Sequence, residues 1–94
     1  MNKVIASPEA PKAVGPYSQA ILAGNTLYIS GQLPVDGATG TVAETIEDQT
    51  RQSLKNLKAI LNEAGMGFED VVKVTVLLDD IKNFSSMNAV YAEH

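Results

Sequence analysis

The sequence predicts a single α+β domain over residues 1–94, helices packed on a sheet, in the order β-β-β-α-β-α. Three observations carry this prediction. Two short apolar runs meet at Gly24-Asn25, an amphipathic stretch runs from Thr45 to Gly65, and a β-branched run, Val71–Leu78, precedes a second helical pattern. Strand, helix, strand within one sheet implies a right-handed crossover.

Val4-Ile5 reads as a short first strand, followed by a loop punctuated by Pro8, Pro11 and Pro16. Tyr17–Ala23 and Thr26–Ser30 read as two strands of a hairpin, because Gly24-Asn25 is a two-residue turn that supports positive φ. Ile21, Leu22, Leu27, Tyr28 and Ile29 leave neither face of that hairpin clearly solvated. Pro34 to Thr41, with Asp36-Gly37 and Gly40, is a turn-rich excursion.

The first helix starts near Thr45, whose hydroxyl can cap exposed amides, with Asp48 completing a capping-box variant. Leu54, Leu57, Leu61 and Ala64 form one apolar stripe with Ile60 beside it, and Gly65 closes the helix in the left-handed conformation. Val71–Leu78 is the most strand-like run of the chain. Only Lys73 and Thr75 interrupt it, so both faces are expected to be covered. A second helix is predicted from about Asn83, with Phe84, Met87 and Tyr91 at core spacing.

Composition narrows the function. A chain of 94 residues buries only about 60–65% of its unfolded surface, so packing against copies of itself would help. Net charge is −4 and the seven basic residues form no run, which argues against a nucleic-acid partner. Without cysteine, and with His94 as the sole histidine, disulfides, thiolate metal sites and histidine triads drop out, and neither metal nor cofactor is expected. No signal peptide or membrane span is evident, so the expected location is cytoplasmic.

What stands out is the polar chemistry at the ends of the hairpin: Gly15-Pro16-Tyr17-Ser18-Gln19-Ala20 and Tyr28-Ile29-Ser30-Gly31-Gln32. Taken singly, Tyr17 reads as a strand-end aromatic, Ser30-Gly31 as a strand terminus and Asn88 as a solvated helix residue. The adjacent carboxylates Glu69-Asp70 and Asp79-Asp80 bracket a strand and would point to opposite faces, which argues against a paired-acid or metal site. The two hairpin motifs, with Gln49-Thr50, Leu57, Asp80-Ile81, Phe84, Met87-Asn88 and Tyr91, together resemble the RidA (YjgF-type) reactive intermediate deaminases along the whole chain.

That resemblance implies a chorismate-mutase-like α+β fold with two helices on one face of the sheet. It also implies a homotrimer with sites between subunits, and hydrolysis of 2-imino and enamine acids to 2-oxo acids and ammonia. Carried over by position, Tyr17 and Asn88 would be catalytic, and Ser30, Gly31 and Phe84 would bind substrate. The residue types suit these roles. A phenol can hold the substrate or the attacking water, a glycine lets backbone approach closely, and serine and asparagine offer neutral donors and acceptors. Imines are already electrophilic, so positioning substrate and water is most of the task.

The family also carries an arginine that clamps the substrate carboxylate and a glutamate that orients water, both on strands that would follow His94. Arg51, the sole arginine here, falls in the first helix and does not match the clamp. The sequence is therefore expected to be C-terminally incomplete relative to the family, and a 94-residue product to be unstable, inactive or both. Two rival readings follow: a non-catalytic trimeric module binding small carboxylates, and an RNA-related translation inhibitor, the latter disfavoured by the acidic balance.

Overall fold

The structure, a computed structural model, describes residues 2–13, 17–78 and 80–94, so Gly15-Pro16 of the hairpin motif and Asp79 lie outside the described residues. Three strands come first: β1 (Lys3–Ile5), β2 (Ala20–Ala23) and β3 (Thr26–Ile29), paired antiparallel in the order β1-β2-β3. Both predicted hairpin strands are shorter at their outer ends than expected. The hairpin itself turns as the sequence predicts. Gly24 sits at φ 61° while Asn25 does not take a positive φ, the pattern of a type II′ turn, which matches the natural twist of the strands.

The register sorts the side chains by face. Ile5 pairs with Ala20 and Ala20 with Ile29, while Leu22 pairs with Leu27, so these residues share one face; Val4, Ile21 and Tyr28 form a row on the other. The first set builds the core, in which Ile5, Ala10, Ala20, Ala59 and Ile60 are buried and Leu22, Leu27, Ile29 and Ala64 pack against them. The second set is open: Val4 is 61% and Tyr28 64% exposed.

Helix α1 (Ile46–Glu63) supplies Ala59 and Ile60 to that core. Thr45 caps it as predicted, its Oγ1 accepting from the Asp48 amide at 3.2 Å. The reciprocal half of a capping box is not made; the Asp48 carboxylate accepts from Arg51 instead. At the other end, the Gly65 amide donates to Asn62 and the Met66 amide to Leu61, with Gly65 at φ 74°. This pair of bonds is the Schellman closure and satisfies carbonyls the helix would otherwise leave bare.

Helix α2 (Phe84–Tyr91) follows a single 3-10 turn at Ile81–Asn83 and packs against α1, burying Met87 and Val90. Its packing corrects part of the expected stripe: Phe84 is half exposed, and Val90 takes the buried place expected of it. The α+β class and both helices are as predicted.

The fourth strand is not. Val71–Leu78 joins no ladder among the described residues, and the crossover expected from it is not formed. Val72 is 99% and Leu77 89% exposed. β-Propensity measures fit to a pleated, half-buried surface, so a β-branched run becomes a strand only where a neighbour offers backbone partners. Among the described residues β1 and β3 pair only with β2.

One polar side chain ties the layers together. Asn56 on α1 is fully buried, and its Nδ2 donates to the carbonyls of Leu33 and Val35 at 3.1 and 2.9 Å while its Oδ1 accepts from Gln52. It anchors the excursion after β3, where Val35 bridges Val42 and the Asp36 carboxylate caps the turn amides of Ala38 and Thr39.

Two outcomes follow for stability in chemical denaturation. Asn56→Leu, though more apolar, is expected to cost about 1–3 kcal/mol, because two carbonyls lose their donor. Thr45→Ala is expected to cost about 1 kcal/mol through loss of the cap.

Candidate functional site

The open end of the β2–β3 hairpin is organised by Gln19, a residue the motif contained but whose role was not singled out from sequence. Its side chain is buried, 5% exposed, and lies between the hairpin and the loop after β1. Gln19 Oε1 accepts from the Ser7 amide at 2.6 Å, and Nε2 donates to the carbonyls of Pro11 at 2.8 Å and Ser7 at 3.2 Å. A buried primary amide is stable only when such partners are in place, so loop 7–11 and the start of β2 hold each other.

The main chain of the same residue faces the other way. Gln19 O accepts from both the Ser30 amide and the Ser30 hydroxyl, each at 3.0 Å. Tyr17 lies two residues before Gln19 and is 73% exposed. Ser30 and Gly31 are also exposed, and a Cβ built on Gly31 would meet nothing within 4 Å. Tyr17, Ser30 and Gly31 are thus exposed residues at the open end of the hairpin, with the Ser30 hydroxyl turned to the Gln19 carbonyl.

The other two predicted residues stand elsewhere. Phe84 and Asn88 are one helical turn apart on α2, on a shared exposed face. Among the described residues no hydrogen bond joins Asn88 to the hairpin group, and α2 rests on α1. Within one chain the predicted site is therefore two patches rather than one pocket. Two cavities among the described residues lie elsewhere. A cavity of about 320 Å³ is lined by Asp36, Asp48, Arg51 and Lys55, and a smaller one of about 170 Å³ by Leu54, Phe68, Tyr91 and His94. Neither contains a predicted site residue.

Arg51 is committed to structure, ion-paired with Asp48 at 3.2 Å and Glu93 at 3.5 Å. Of the acidic residues that could be mistaken for a metal site, Asp70 and Asp80 act as turn caps. Asp70 accepts from the Gly67 amide and Asp80 from the Lys82 amide. No described helix is long and apolar enough to cross a membrane.

Sequence reasoning missed two residues that position this edge, Gln19 and Asn56. The available signal was an uncharged amide among apolar neighbours at a strand start and on the inner helix face, positions where a buried amide must have a partner.

Comparison with known proteins places this geometry. The profile of the family described as Endoribonuclease L-PSP matches residues 7–94. A RutC family protein of Pyrococcus horikoshii is 56% identical over 95 residues, covering all of this chain and 75% of that protein. The 2-iminobutanoate/2-iminopropanoate deaminase of Salmonella typhimurium is 48% identical over 91 residues, covering 97% of this chain and 71% of that enzyme. Among solved structures, Escherichia coli TdcF with bound serine superposes with a TM-score of 0.94 at 41% identity, covering 97% of this chain and 72% of that one. The relatives are thus longer than this chain, and the resemblance seen in the hairpin motifs extends over nearly all of it. The chain belongs to the YjgF/RidA/RutC family, the Endoribonuclease L-PSP family.

Proposed function

We propose that this protein binds small 2-imino acids and hydrolyses them to 2-oxo acids and ammonia, with 2-iminobutanoate and 2-iminopropanoate as substrates. The observation that carries this reading is the exposed Tyr17–Ser30–Gly31 edge, pinned by a buried amide in a relative of a named imine deaminase. Rigid placement of neutral hydrogen-bonding groups is what such a reaction asks for, because water adds to a carbon that is already electrophilic. The new C–O bond forms at the imine carbon, the C–N bond breaks, and the nitrogen leaves as ammonia with the protons of the water. Tyr17 and Asn88 hold the water and the reacting end, while Ser30, Gly31 and Phe84 seat the rest.

In this reading the site is completed by association, and the protein works as a homotrimer in the cytoplasm. Two features support assembly. The Val4–Ile21–Tyr28 row leaves an apolar sheet face without helices, and all five site residues are too exposed to exclude water alone. Asn88 then meets Tyr17 across the interface, from a second copy. The chemistry needs no metal or cofactor.

The family description names an endoribonuclease, which gives a second reading. It is the weaker one on electrostatic grounds: the chain is acidic and its single arginine is paired with two carboxylates.

With 2-iminobutanoate generated in situ by a dehydratase, formation of 2-oxobutanoate should be faster with the protein than without it; an unaccelerated rate would refute this reading and bear out the expectation of an inactive 94-residue product. Tyr17→Phe and Asn88→Ala should each lower that acceleration about 10- to 100-fold, the range for loss of a positioned acid–base or water-holding group, with the trimer intact by light scattering. Wild-type rates in both variants would refute the assignment. Gly31→Ala makes a sharper test. The fold has room for the methyl, so stability should move by less than about 0.5 kcal/mol, yet activity should fall because the methyl occupies the space the ligand needs.

A further inference from the structure

The larger cavity, of about 320 Å³, lies between α1 and the turn that follows β3, apart from the five residues of the proposed imine site. On the helix side it is lined by Asp48, Arg51, Gln52 and Lys55, which recur at the three- and four-residue spacing of a single helix face. Its other wall carries Asp36 and Thr41, in a turn closed by the Asp36 amide donating to the Thr41 carbonyl at 2.9 Å. The volume is that of a small-molecule pocket at the lower end of the usual range, about 300–1,000 Å³.

Both walls are held from outside the cavity. Asn56 uses its Nδ2 on the carbonyls of Leu33 and Val35, so its Oδ1 alone is left for Gln52, which meets it with Nε2 at 2.8 Å. An amide cannot spin as a hydroxyl does, so this contact fixes the orientation of Gln52, and its Oε1 accepts no hydrogen bond among the described residues. The turn rests on the loop after β1, where a Cβ added at Gly37 would come within 3.2 Å of the backbone of Glu9, Ala10 and Pro11.

The charges lining this cavity do not cancel one another. Arg51 is engaged at both ends, by Asp48 at 3.2 Å and Glu93 at 3.5 Å. Asp36 remains on one wall and Lys55 on the other, and neither forms an ion pair among the described residues. Asp36 caps the Ala38 and Thr39 amides through Oδ1 only, so its Oδ2 is without a hydrogen bond there. An anion and a cation on opposing walls, too far apart to meet, suit a molecule that carries both charges itself.

We propose that this cavity binds a small zwitterion of the amino-acid class, its ammonium on Asp36 and Gln52 Oε1 and its carboxylate on Lys55. A ligand with one charge satisfies one wall and leaves the other unmatched. The site goes beyond imine hydrolysis and shares no residue with it. Lys55 is exposed, so salt screens its contact and binding weakens as ionic strength rises.

The test is an NMR titration of nitrogen-labelled protein with 4-aminobutanoate and L-alanine, two zwitterions of different charge spacing, beside butanoate and butylamine, which carry one charge each. At least one zwitterion should shift the amides of Asp36–Thr41 and the Gln52 side chain, with butanoate and butylamine about three- to tenfold weaker. Asp36→Asn keeps the turn cap and Lys55→Met keeps the aliphatic stem; each should weaken zwitterion binding by a similar factor, with spectra unchanged away from the cavity. Shifts confined to the Tyr17–Gly31 region, equal binding of butanoate or butylamine, full affinity in either variant, or no response to either zwitterion would overturn the proposal. The wild-type shift map and ligand series decide the matter even where a variant fails to fold. None of these outcomes touches the imine assay, whose failure would in turn leave this site standing.

Discussion

The open end of the β2–β3 hairpin depends on one constraint: a buried amide must have all its hydrogen bonds made. Gln19 meets it by reaching into the loop after β1, where Ser7 and Pro11 offer one amide and two carbonyls. Among its described residues the loop also makes its own turn, the Ala10 amide donating to the Ser7 carbonyl and the Glu9 amide to the Ser7 hydroxyl, and this side chain ties that turn to the hairpin. Because the Gln19 carbonyl also receives both polar hydrogens of Ser30, the same residue fixes the two ends of the hairpin to each other. Asn56 repeats the device one layer deeper, holding the segment that leaves Gly31 against α1. In so small a core, with Ile60 fully buried and few large side chains beside it, these amides supply a direction that apolar packing cannot.

Much of the fold was legible because its signals are local. Gly24 and Gly65 take the positive φ that their positions demand, Thr45 caps α1, and the period of Leu54, Ile60 and Leu61 names the inner face of that helix. Each depends on residues within a turn or two. Val71–Leu78 shows the opposite case. Its composition is that of a strand, but pairing is a property of two segments, and no described strand lies beside this one. Val72, Val74, Val76 and Leu77 remain exposed for the same reason.

The proposed site was legible by type and less so by arrangement. Tyr17, Ser30 and Gly31 converge because the hairpin register brings residues 19 and 30 together, which the turn at Gly24 already dictates. Asn88 and Phe84 do not join them within one chain, since α2 takes its place from Met87 and Val90 packing on α1. Nothing in a periodicity reports which copy of a protein a side chain will meet. The roles of Gln19 and Asn56 were hidden for a related reason: polar residues read as surface until the carbonyls that bind them are located in space.

The proposal that the two patches meet across copies has a direct test in mixed assembly. Tyr17→Phe and Asn88→Ala proteins are each purified, combined, dissociated and reassembled, and imine hydrolysis is measured beside the unmixed variants. If Tyr17 of one copy faces Asn88 of another, mixed assemblies contain some sites with both residues intact, and activity rises well above that of either variant alone. If the mixture is no more active than its components, although mass measurement shows mixed assemblies, the site does not combine Tyr17 and Asn88 from different copies, and the account fails at its centre.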